Sequence, residues 1–362
     1  MRSSLKPAAG LTCLFVLAVT GCSAGSGTTA ADAAPSTPSD PSTPSDPSTP
    51  SAPEEPAQSG TAPVRAAAAS STSYAPYVSA TTASGHDSAG SPTTYNLAFV
   101  ISDGSGCTPK WDGADAIGDA AVKSRISQLK TSGATVRVSF GGASGKELAA
   151  TCPSASALAE AYGEALDAAG SAQADFDIEG GEAAGSTSVA RRSRAIELLQ
   201  RERPGLKVSF TVPVMPSGLD SGSLALLGSA NRYDVRVSTV NLMTMNYGES
   251  YTGDMGDYAV TAAEAAHTQL KKVFGLPDAA AWQGMALTSM IGLNDVDGET
   301  LTLSDATRVR TFAEQRKIAW VSMWSTFRDR QCERGESARD EAAADCSGVR
   351  QEPGAFARAF AG

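Results

Sequence analysis

Apolar, β-branched runs alternate with helical patterns along the chain after residue 72. A two-residue apolar period predicts strands, and a period near 3.6 predicts amphipathic helices. The predicted strands are Tyr74–Ala80, Tyr95–Ser102, Thr135–Gly142, Ala174–Gly180, Leu206–Val214, Ser238–Tyr247, Met285–Gly292 and Ile318–Ser325. The predicted helices include Ala114–Ser132, Ser154–Ala169, Val189–Glu202, Ala259–Phe274 and Ser304–Arg316. This alternation predicts an α/β fold, a (β/α)8 TIM barrel, with a doubly wound open sheet as the alternative.

The start of the chain has the pattern of an export signal. Arg2 and Lys6 precede an apolar run at residues 11–19, and Val19-Thr20-Gly21-Cys22 fits a bacterial lipobox. The apolar run is too short to span a bilayer as a helix. We therefore expect residues 1–21 to be a lipoprotein signal peptide and Cys22 to be lipidated; an ordinary secretory signal is the alternative.

Residues 22–71 have the composition of a disordered tether. Ser36-Thr37-Pro38-Ser39-Asp40-Pro41 recurs as Ser42–Pro47 and, with one change, as Ser48–Pro53. Such a segment cannot bury enough apolar surface to offset its chain entropy. We expect one catalytic domain, residues 72–362, either anchored by lipid to the outer side of the cell membrane or secreted.

Charge and histidine content exclude several classes of function. The chain has 29 Lys+Arg and 39 Asp+Glu, a net charge of −10, which argues against a nucleic-acid partner. The only two His, His86 and His267, make a multi-His metal site improbable, so no metal is expected. No Gly-x-Gly-x-x-Gly turn follows a predicted strand, which argues against a dinucleotide, and no cofactor is expected.

Four cysteines fall within the predicted domain: Cys107, Cys152, Cys332 and Cys346. An even number in an exported protein suggests two disulfides, for which the sequence permits three connectivities. Cys107 and Cys152 follow neighbouring predicted strands, and Cys332 and Cys346 bracket one polar loop. These positions favour the pairs Cys107–Cys152 and Cys332–Cys346, with free thiols as the alternative.

The strongest candidate chemistry lies in Asp175-Phe176-Asp177-Ile178-Glu179. Alternate residues of a strand share a face, so the three carboxylates lie on one face and the two apolar side chains on the other. Carboxylates confined together cannot all ionise cheaply, so at least one pKa should be raised. A Glu kept protonated near neutral pH can act as a general acid; a solvated acidic edge strand is the alternative.

Four further segments, taken with this one, resemble family 18 glycoside hydrolases, the chitinases. The five-residue run resembles their Asp-x-x-Asp-x-Asp-x-Glu signature, and Ser139-Phe140-Gly141-Gly142 resembles their Ser-x-Gly-Gly motif. The segments Met243–Tyr247, Met290–Asp295 and Ser322–Ser325 resemble the ends of the family's sixth, seventh and eighth strands. The resemblance runs from Tyr74 to about Gln351. The signature's first Asp is absent, since Ala172 stands there.

This resemblance implies a retaining, endo-acting chitinase whose nucleophile is the substrate's own acetamido group. Glu179 would be the general acid and base, Asp177 would orient the acetamido N–H, and Tyr247 would bind the acetamido oxygen. Asp175 would share charge or a proton with Asp177. The resemblance also implies substrate-binding residues, namely Trp324, Ser139, Gly142, Met245 and Asn294.

The expected partner is chitin or a chitooligosaccharide bound by a monomer. Two alternatives remain open, an endo-β-N-acetylglucosaminidase acting on N-glycans and an inactive, chitin-binding lectin-like barrel. The latter typically lacks the acid that Glu179 provides here.

Three side chains outside these motifs also carry expectations. Arg137 alternates with Ser139 and should face the interior, where a buried guanidinium is costly unless paired, so we expect an ion pair with an interior carboxylate, Asp175 being the nearest candidate; a bulge that turns Arg137 outward is the alternative. Arg192 is expected on a solvated helix face. Trp111 could either stack on sugar or cap the barrel.

Overall fold

The structure is a computed structural model that describes residues 72–334 and 345–362. The strands are β1 Ser73–Tyr74, β2 Tyr77–Ser79, β3 Thr94–Ser102, β4 Pro109–Trp111, β5 Asp115–Ala116, β6 Thr135–Gly141, β7 Gln173–Asp177, β8 Lys207–Pro213, β9 Val237–Met243, β10 Met285–Met290, β11 Gly292–Leu293, β12 Thr300–Leu301 and β13 Trp320–Trp324. The predicted signal peptide, Cys22 and the tether lie outside the described residues.

The helices follow most of the longer strands. They are α1 Ala120–Leu129, α2 Leu148–Thr151, α3 Ala155–Ala169, α4 Gly181–Ala184, α5 Ser186–Glu202, α6 Ser221–Arg232, α7 Met255–Phe274, α8 Asp278–Gln283, α9 Leu303–Arg316 and α10 Ala355–Ala361. Two 3-10 turns occur at Lys130–Ser132 and Thr326–Arg328. The fold is therefore mixed α/β, as the pattern predicted.

Parallel strands β3, β6, β7, β8, β9, β10 and β13 pair with their neighbours in chain order. Both ends of this sheet meet one short segment. Its first half, β1, pairs with β13, and its second half, β2, pairs with β3. The predicted strand Tyr74–Ala80 is thus split at Ala75 and Pro76, and the pairings form a continuous circuit.

Strand β7 shows how alternation divides the side chains. Phe176 packs against the rings of Phe140, Tyr162 and Phe210, with centroids 5.4, 4.9 and 5.6 Å away. Since Tyr162 belongs to α3, this face of β7 is the helix-facing side. The carboxylates of β7 point to the opposite side, as the two-residue period predicted.

The structure bonds Cys107 to Cys152 and Cys332 to Cys346, which is the favoured connectivity. The first bridge joins the segment after β3 to the end of α2. The second brackets residues 335–344.

Predicted element boundaries differ from the observed ones mainly near strand ends. The predicted helix Ala114–Ser132 begins six residues later, at Ala120, because β4 and β5 form a hairpin before it. The predicted strands reaching Gly180 and Tyr247 end at Asp177 and Met243. Both segments continue past the last paired residue into loops that carry polar side chains.

Candidate active site

Glu179 lies two residues beyond the end of β7, at the carboxyl edge of the parallel strands. The N–H of Ile178 donates to the carbonyl of Thr211 at 3.0 Å and so continues the strand register past Asp177. Gly180 then has φ 51°, a left-handed conformation that suits glycine, and the chain turns into α4. These features place the Asp177 and Glu179 side chains on the same side of the strand end.

Asp175 is fully buried and accepts four hydroxyl hydrogen bonds. Tyr77 and Ser139 donate to Oδ2 at 2.9 and 2.7 Å, and Ser209 and Thr211 donate to Oδ1 at 2.6 and 2.9 Å. Both carboxyl oxygens act only as acceptors in these four hydrogen bonds. The bonds replace those that a carboxylate makes to water and so offset the free-energy cost of burying it. The four hydroxyl groups thus hold the Asp175 carboxyl in one orientation beneath Asp177.

Sequence reasoning missed most members of this hydroxyl network. Thr211 also accepts a hydrogen bond from Asn241 at 2.9 Å, and Asn241 accepts one from Thr288 at 2.9 Å. Ser209 and Thr211 alternate with apolar residues on β8, which was the available signal. Tyr77 reads as an ordinary apolar strand residue, and nothing in its neighbourhood marks it as polar.

Asp177 and Glu179 share a hydrogen bond. Burial raises the pKa of Asp177 well above its usual value, and the charges of Glu179 and Asp175 raise it further. Burial also raises the pKa of Glu179, while the hydrogen bond from Asp177 lowers it and the charge of Asp295 raises it. Both pKa values are therefore raised, that of Asp177 the more strongly, and burial is the main cause for each.

A cavity of about 290 Å³ opens above this pair. Its walls come from the ends of most of the parallel strands and the loops that follow: Tyr77, Phe99, Ile101, Asp112, Ala143, Ser144, Asp177, Glu179, Thr211, Met243, Met245, Asn246, Thr288, Met290, Asp295 and Trp324. Trp324 and Phe99 stack with centroids 5.4 Å apart and planes 20° from parallel. This half-buried aromatic surface suits the flat apolar face of a sugar ring.

Two glycines allow the loop after β6 to approach the site. Gly141 has φ +104°, and a Cβ there would overlap the carbonyl oxygen of Asp177. The N–H of Gly142 donates to that same carbonyl at 2.9 Å, and a Cβ on Gly142 would lie 2.9 Å from the Phe99 ring. Gly142 is therefore a packing residue of this wall.

The loop after β9 brings Asn246 and Asp295 together. Asn246 has φ 54°, a left-handed conformation that Asn tolerates better than most residues. Its Oδ1 accepts a hydrogen bond from the N–H of Asp295 at 3.1 Å. Both residues line the cavity. Both lie within segments that resemble the family's strand ends, although neither was predicted individually as a site residue.

The predicted substrate-binding residues are placed in different ways. Met245 and Trp324 line the cavity, whereas Ser139 is fully buried and binds Asp175. Asn294 is 2% exposed, and its amide donates to the carbonyls of Met290 and Gly292 at 3.1 and 3.0 Å. Asn294 thus shapes the loop, and its neighbour Asp295 faces the cavity.

Tyr247 is not among the residues that line the cavity. Its ring contacts Tyr251 and Tyr258, and its buried hydroxyl has no hydrogen-bond partner in the described part of the chain. Burial and the charge of Glu299 raise its pKa. The predicted contact between Tyr247 and substrate stays a prediction.

Two expectations about buried side chains are resolved differently. Trp111 is 0% exposed, so it caps the fold and presents no face to a ligand. Arg137 does face the interior, but the predicted ion pair with Asp175 is wrong. Its guanidinium donates to Asn96 and Gln173, because neutral amide oxygens are what the neighbouring strands present to it.

Within residues 72–334 and 345–362, no group of three or more His, Cys, Asp and Glu side chains could hold a metal ion. In the same part of the chain, no helix is long and apolar enough to cross a membrane.

No protein-family model matches the chain. Two curated relatives do: a probable bifunctional chitinase/lysozyme of Escherichia coli, 34% identical over 71% of this chain, and endochitinase 11 of Metarhizium anisopliae, 33% identical over 65% of it. The chain spans only 31% and 47% of the lengths of these relatives.

Solved structures agree with this similarity. Active domain 2 of a thermostable chitinase from Pyrococcus furiosus, studied as catalytic site mutants complexed with chito-oligosaccharides, is 30% identical with a TM-score of 0.70. The match covers 80% of this chain and 93% of that domain. A GH18 chitinase from Chromobacterium violaceum, 16% identical with a TM-score of 0.52 over 80% of this chain and 83% of that one, shares the fold.

Proposed function

The chain belongs to the chitinases of glycoside hydrolase family 18, and from this membership we propose that it hydrolyses β-1,4 linkages between N-acetylglucosamine units. The observation that carries the proposal is the buried carboxyl pair of Asp177 and Glu179, both with raised pKa values, beneath an aromatic wall. The name of one relative, an endochitinase, supports the endo mode of cleavage.

Glu179 is the acid and base of the proposed reaction. It gives its proton to the glycosidic oxygen as the bond from that oxygen to C1 breaks. The acetamido oxygen of the same sugar attacks C1, forming a cyclic oxazolinium ion. Water then attacks C1, reopening the ring, and Glu179 takes a proton from this water, so configuration is retained.

Asp177 stabilises the acetamido N–H of that cyclic ion. Its buried Oδ1 has no hydrogen-bond partner in the described residues, so an acceptor is available at the base of the cavity. The Asp175 carboxyl lies beneath it, held by four hydroxyl groups. Together these groups favour the positive oxazolinium over the neutral substrate.

Tyr247 keeps its predicted role as donor to the acetamido oxygen. This role requires its buried hydroxyl to reach the cavity when substrate binds. The Tyr247→Phe variant tests it: kcat should fall about tenfold if the hydroxyl donates and stay unchanged if it does not.

We also propose that the circuit of parallel strands is a (β/α)8 barrel. The split segment β1–β2 joins the two ends of the sheet, and helices follow the strands on the outside. In such barrels the active site lies at the carboxyl ends of the strands, which is where Glu179 lies.

The sequence features at the start of the chain support export. We propose that residues 1–21 are cleaved, that Cys22 carries lipid, and that residues 22–71 tether a monomeric domain to the outer side of the membrane. Globomycin, which blocks lipoprotein signal cleavage, should leave the precursor uncut, and mass spectrometry should find a diacylated Cys22. An unmodified new N-terminus elsewhere would refute the anchor.

Substrate choice distinguishes the proposed activity from the N-glycan alternative and from a lectin. Chitohexaose should be cleaved to shorter oligosaccharides whose new reducing end appears first as the β-anomer by NMR. Cellohexaose lacks the acetamido group and should remain intact. Faster release from a high-mannose glycoprotein would favour the N-glycan alternative, and binding of chitohexaose without turnover would indicate a lectin.

A further inference from the structure

A second cavity, of about 530 Å³, lies at the other end of the same strands. On β8, Ser209 lines this cavity and Thr211 lines the first one. On β13, Trp320 lines the second cavity and Trp324 lines the first one. The second cavity is therefore separated from Glu179 by the interior of the barrel.

Arg137 is the distinctive residue of this cavity. It is 8% exposed, and it donates to Asn96 Oδ1 at 2.6 Å and to Gln173 Oε1 at 3.2 Å. Its Cζ lies 4.6 Å from the centre of the Trp320 ring. No carboxylate of the described residues lies within ion-pair distance, 4.0 Å, of this guanidinium. Since a guanidinium has further N–H groups, donors remain beyond the two that meet amide oxygens.

The surrounding walls add donors and no negative charge. Lys207, which is exposed, lines the rim, and Thr135, Ser238 and Thr239 contribute hydroxyls. Among the described residues that line this cavity, none is an Asp or a Glu. The chain as a whole has a net charge of −10, whereas this cavity has two cations and a concentration of hydrogen-bond donors, so its local charge is positive.

Asp175 is the carboxylate whose charge acts on Arg137 through the interior. Its two oxygens already accept four hydroxyl hydrogen bonds, so it offers Arg137 no direct contact. Burial of a cation without a paired anion is unfavourable, and an external anion would reduce that cost.

We propose that this cavity binds a small oxyanion of the phosphate or sulfate type, held by the guanidinium of Arg137 and the ammonium of Lys207. The planar guanidinium suits two-point contact with such an oxyanion, and Lys207 adds a second positive charge. An uncharged sugar fits less well, because Arg137 already covers the face of Trp320. The proposal is independent of the hydrolytic activity.

Isothermal titration calorimetry of the full chain with inorganic phosphate and with sulfate, at constant ionic strength, tests the site. One saturable event per chain is expected, with acetate much weaker because it carries one charge. Glycerol 3-phosphate distinguishes a free oxyanion from a phosphate ester: comparable affinity means that an ester fits, and much weaker binding restricts the site to free anions. Absence of saturable binding by both inorganic anions would overturn the proposal.

Variants assign the binding to these residues. Lys207→Gln should weaken phosphate binding about fivefold, whereas Lys123→Gln, on an exposed part of α1, should leave it unchanged. Arg137→Met should reduce binding more than tenfold, and Arg137→Lys should retain part of it because the charge remains. Circular dichroism and thermal unfolding verify that each variant is folded. Equal affinity in Lys207→Gln, Arg137→Lys and the unmodified chain would show an adventitious ion only.

Discussion

Arg192 of α5 and Glu147, which follows β6, form an ion pair of 2.7 Å in which both side chains are buried. Glu147 also accepts hydrogen bonds from the Tyr162 hydroxyl and the Ala149 N–H. The expectation of a solvated helix face for Arg192 is therefore wrong. The pair ties the loop that begins at Gly141, beside Asp177, to the outer helices.

Removing one partner of this pair should be far more costly than removing both. Glu147→Gln leaves the buried Arg192 guanidinium with only the longer, 3.8 Å contact to Glu182 and should cost about 3–5 kcal/mol of unfolding free energy. The double variant Glu147→Leu/Arg192→Met should recover much of that loss. Urea denaturation measures both. Asp167→Asn, which breaks the exposed pair with Arg203, is the control and should cost at most about 1 kcal/mol; an equal cost for Glu147→Gln would contradict the argument.

Glu179→Gln should abolish most of the turnover while leaving substrate binding intact. The amide keeps the size of the side chain but cannot transfer a proton in either half of the reaction, so kcat should fall by at least about 10²–10⁴-fold. Steady-state hydrolysis of chitohexaose and calorimetric binding separate the two effects. Glu182→Gln, three residues further along, is the control and should retain most of the activity. Near-normal turnover in Glu179→Gln would exclude this residue as the acid.

Asp177→Asn should stabilise the fold increasingly as the pH rises, although it lowers activity. The raised pKa of Asp177 means that the folded chain holds a proton which the unfolded chain releases. The contribution of Asp177 to stability therefore falls as the pH rises above the ordinary carboxyl pKa of about 3.9, up to the raised value. The variant lacks this group. Thermal unfolding measured from pH 3 to pH 8, in steps of about 1 pH unit, should show a stability difference between the variant and the unmodified protein that increases with pH. A constant difference would contradict the raised pKa of Asp177.

Gly141→Ala should damage both stability and activity. The new Cβ would overlap the Asp177 carbonyl, and alanine is strained at φ +104°. We expect a loss of about 1–3 kcal/mol or more, together with a lower kcat because Asp177 moves. Gly205→Ala is the control, since its Cβ would meet no atom within 4 Å. The denaturation midpoint and kcat should both be lower in Gly141→Ala than in Gly205→Ala. Similar values in the two variants would show that the loop accommodates the added methyl group without loss of stability.

Trp324→Ala should weaken binding of long oligosaccharides more than it changes the chemistry. The variant removes the ring that stacks with Phe99 at the cavity wall. A loss of about 1–2 kcal/mol corresponds to a five- to thirty-fold higher KM for chitohexaose. Trp324→Phe keeps an aromatic face and should show a smaller effect. Unchanged KM in the alanine variant would show that this surface does not contact sugar.

The two-residue period of β7 was sufficient to predict one face for Asp175 and Asp177 and the other for Phe176. That relation is local, because the extended backbone alone sets the direction of successive side chains. For the same reason, alternation correctly predicted that Arg137 is buried. The order of strands and helices, and therefore the fold class, follows from periodicity in the same way.

Contacts between side chains on different strands could not be predicted, because they depend on how distant strands pair. Tyr77 reaches Asp175 across 98 residues of chain, and Asn96 meets Arg137 across 41. Arg137 donates hydrogen bonds to amide oxygens and not to the expected carboxylate, because Asp175 already accepts hydrogen bonds from four hydroxyls. Loop conformation likewise turned Asp295, and not Asn294, toward the cavity. The sequence determined which residues face inward, and the tertiary packing of separate strands decided which of them meet.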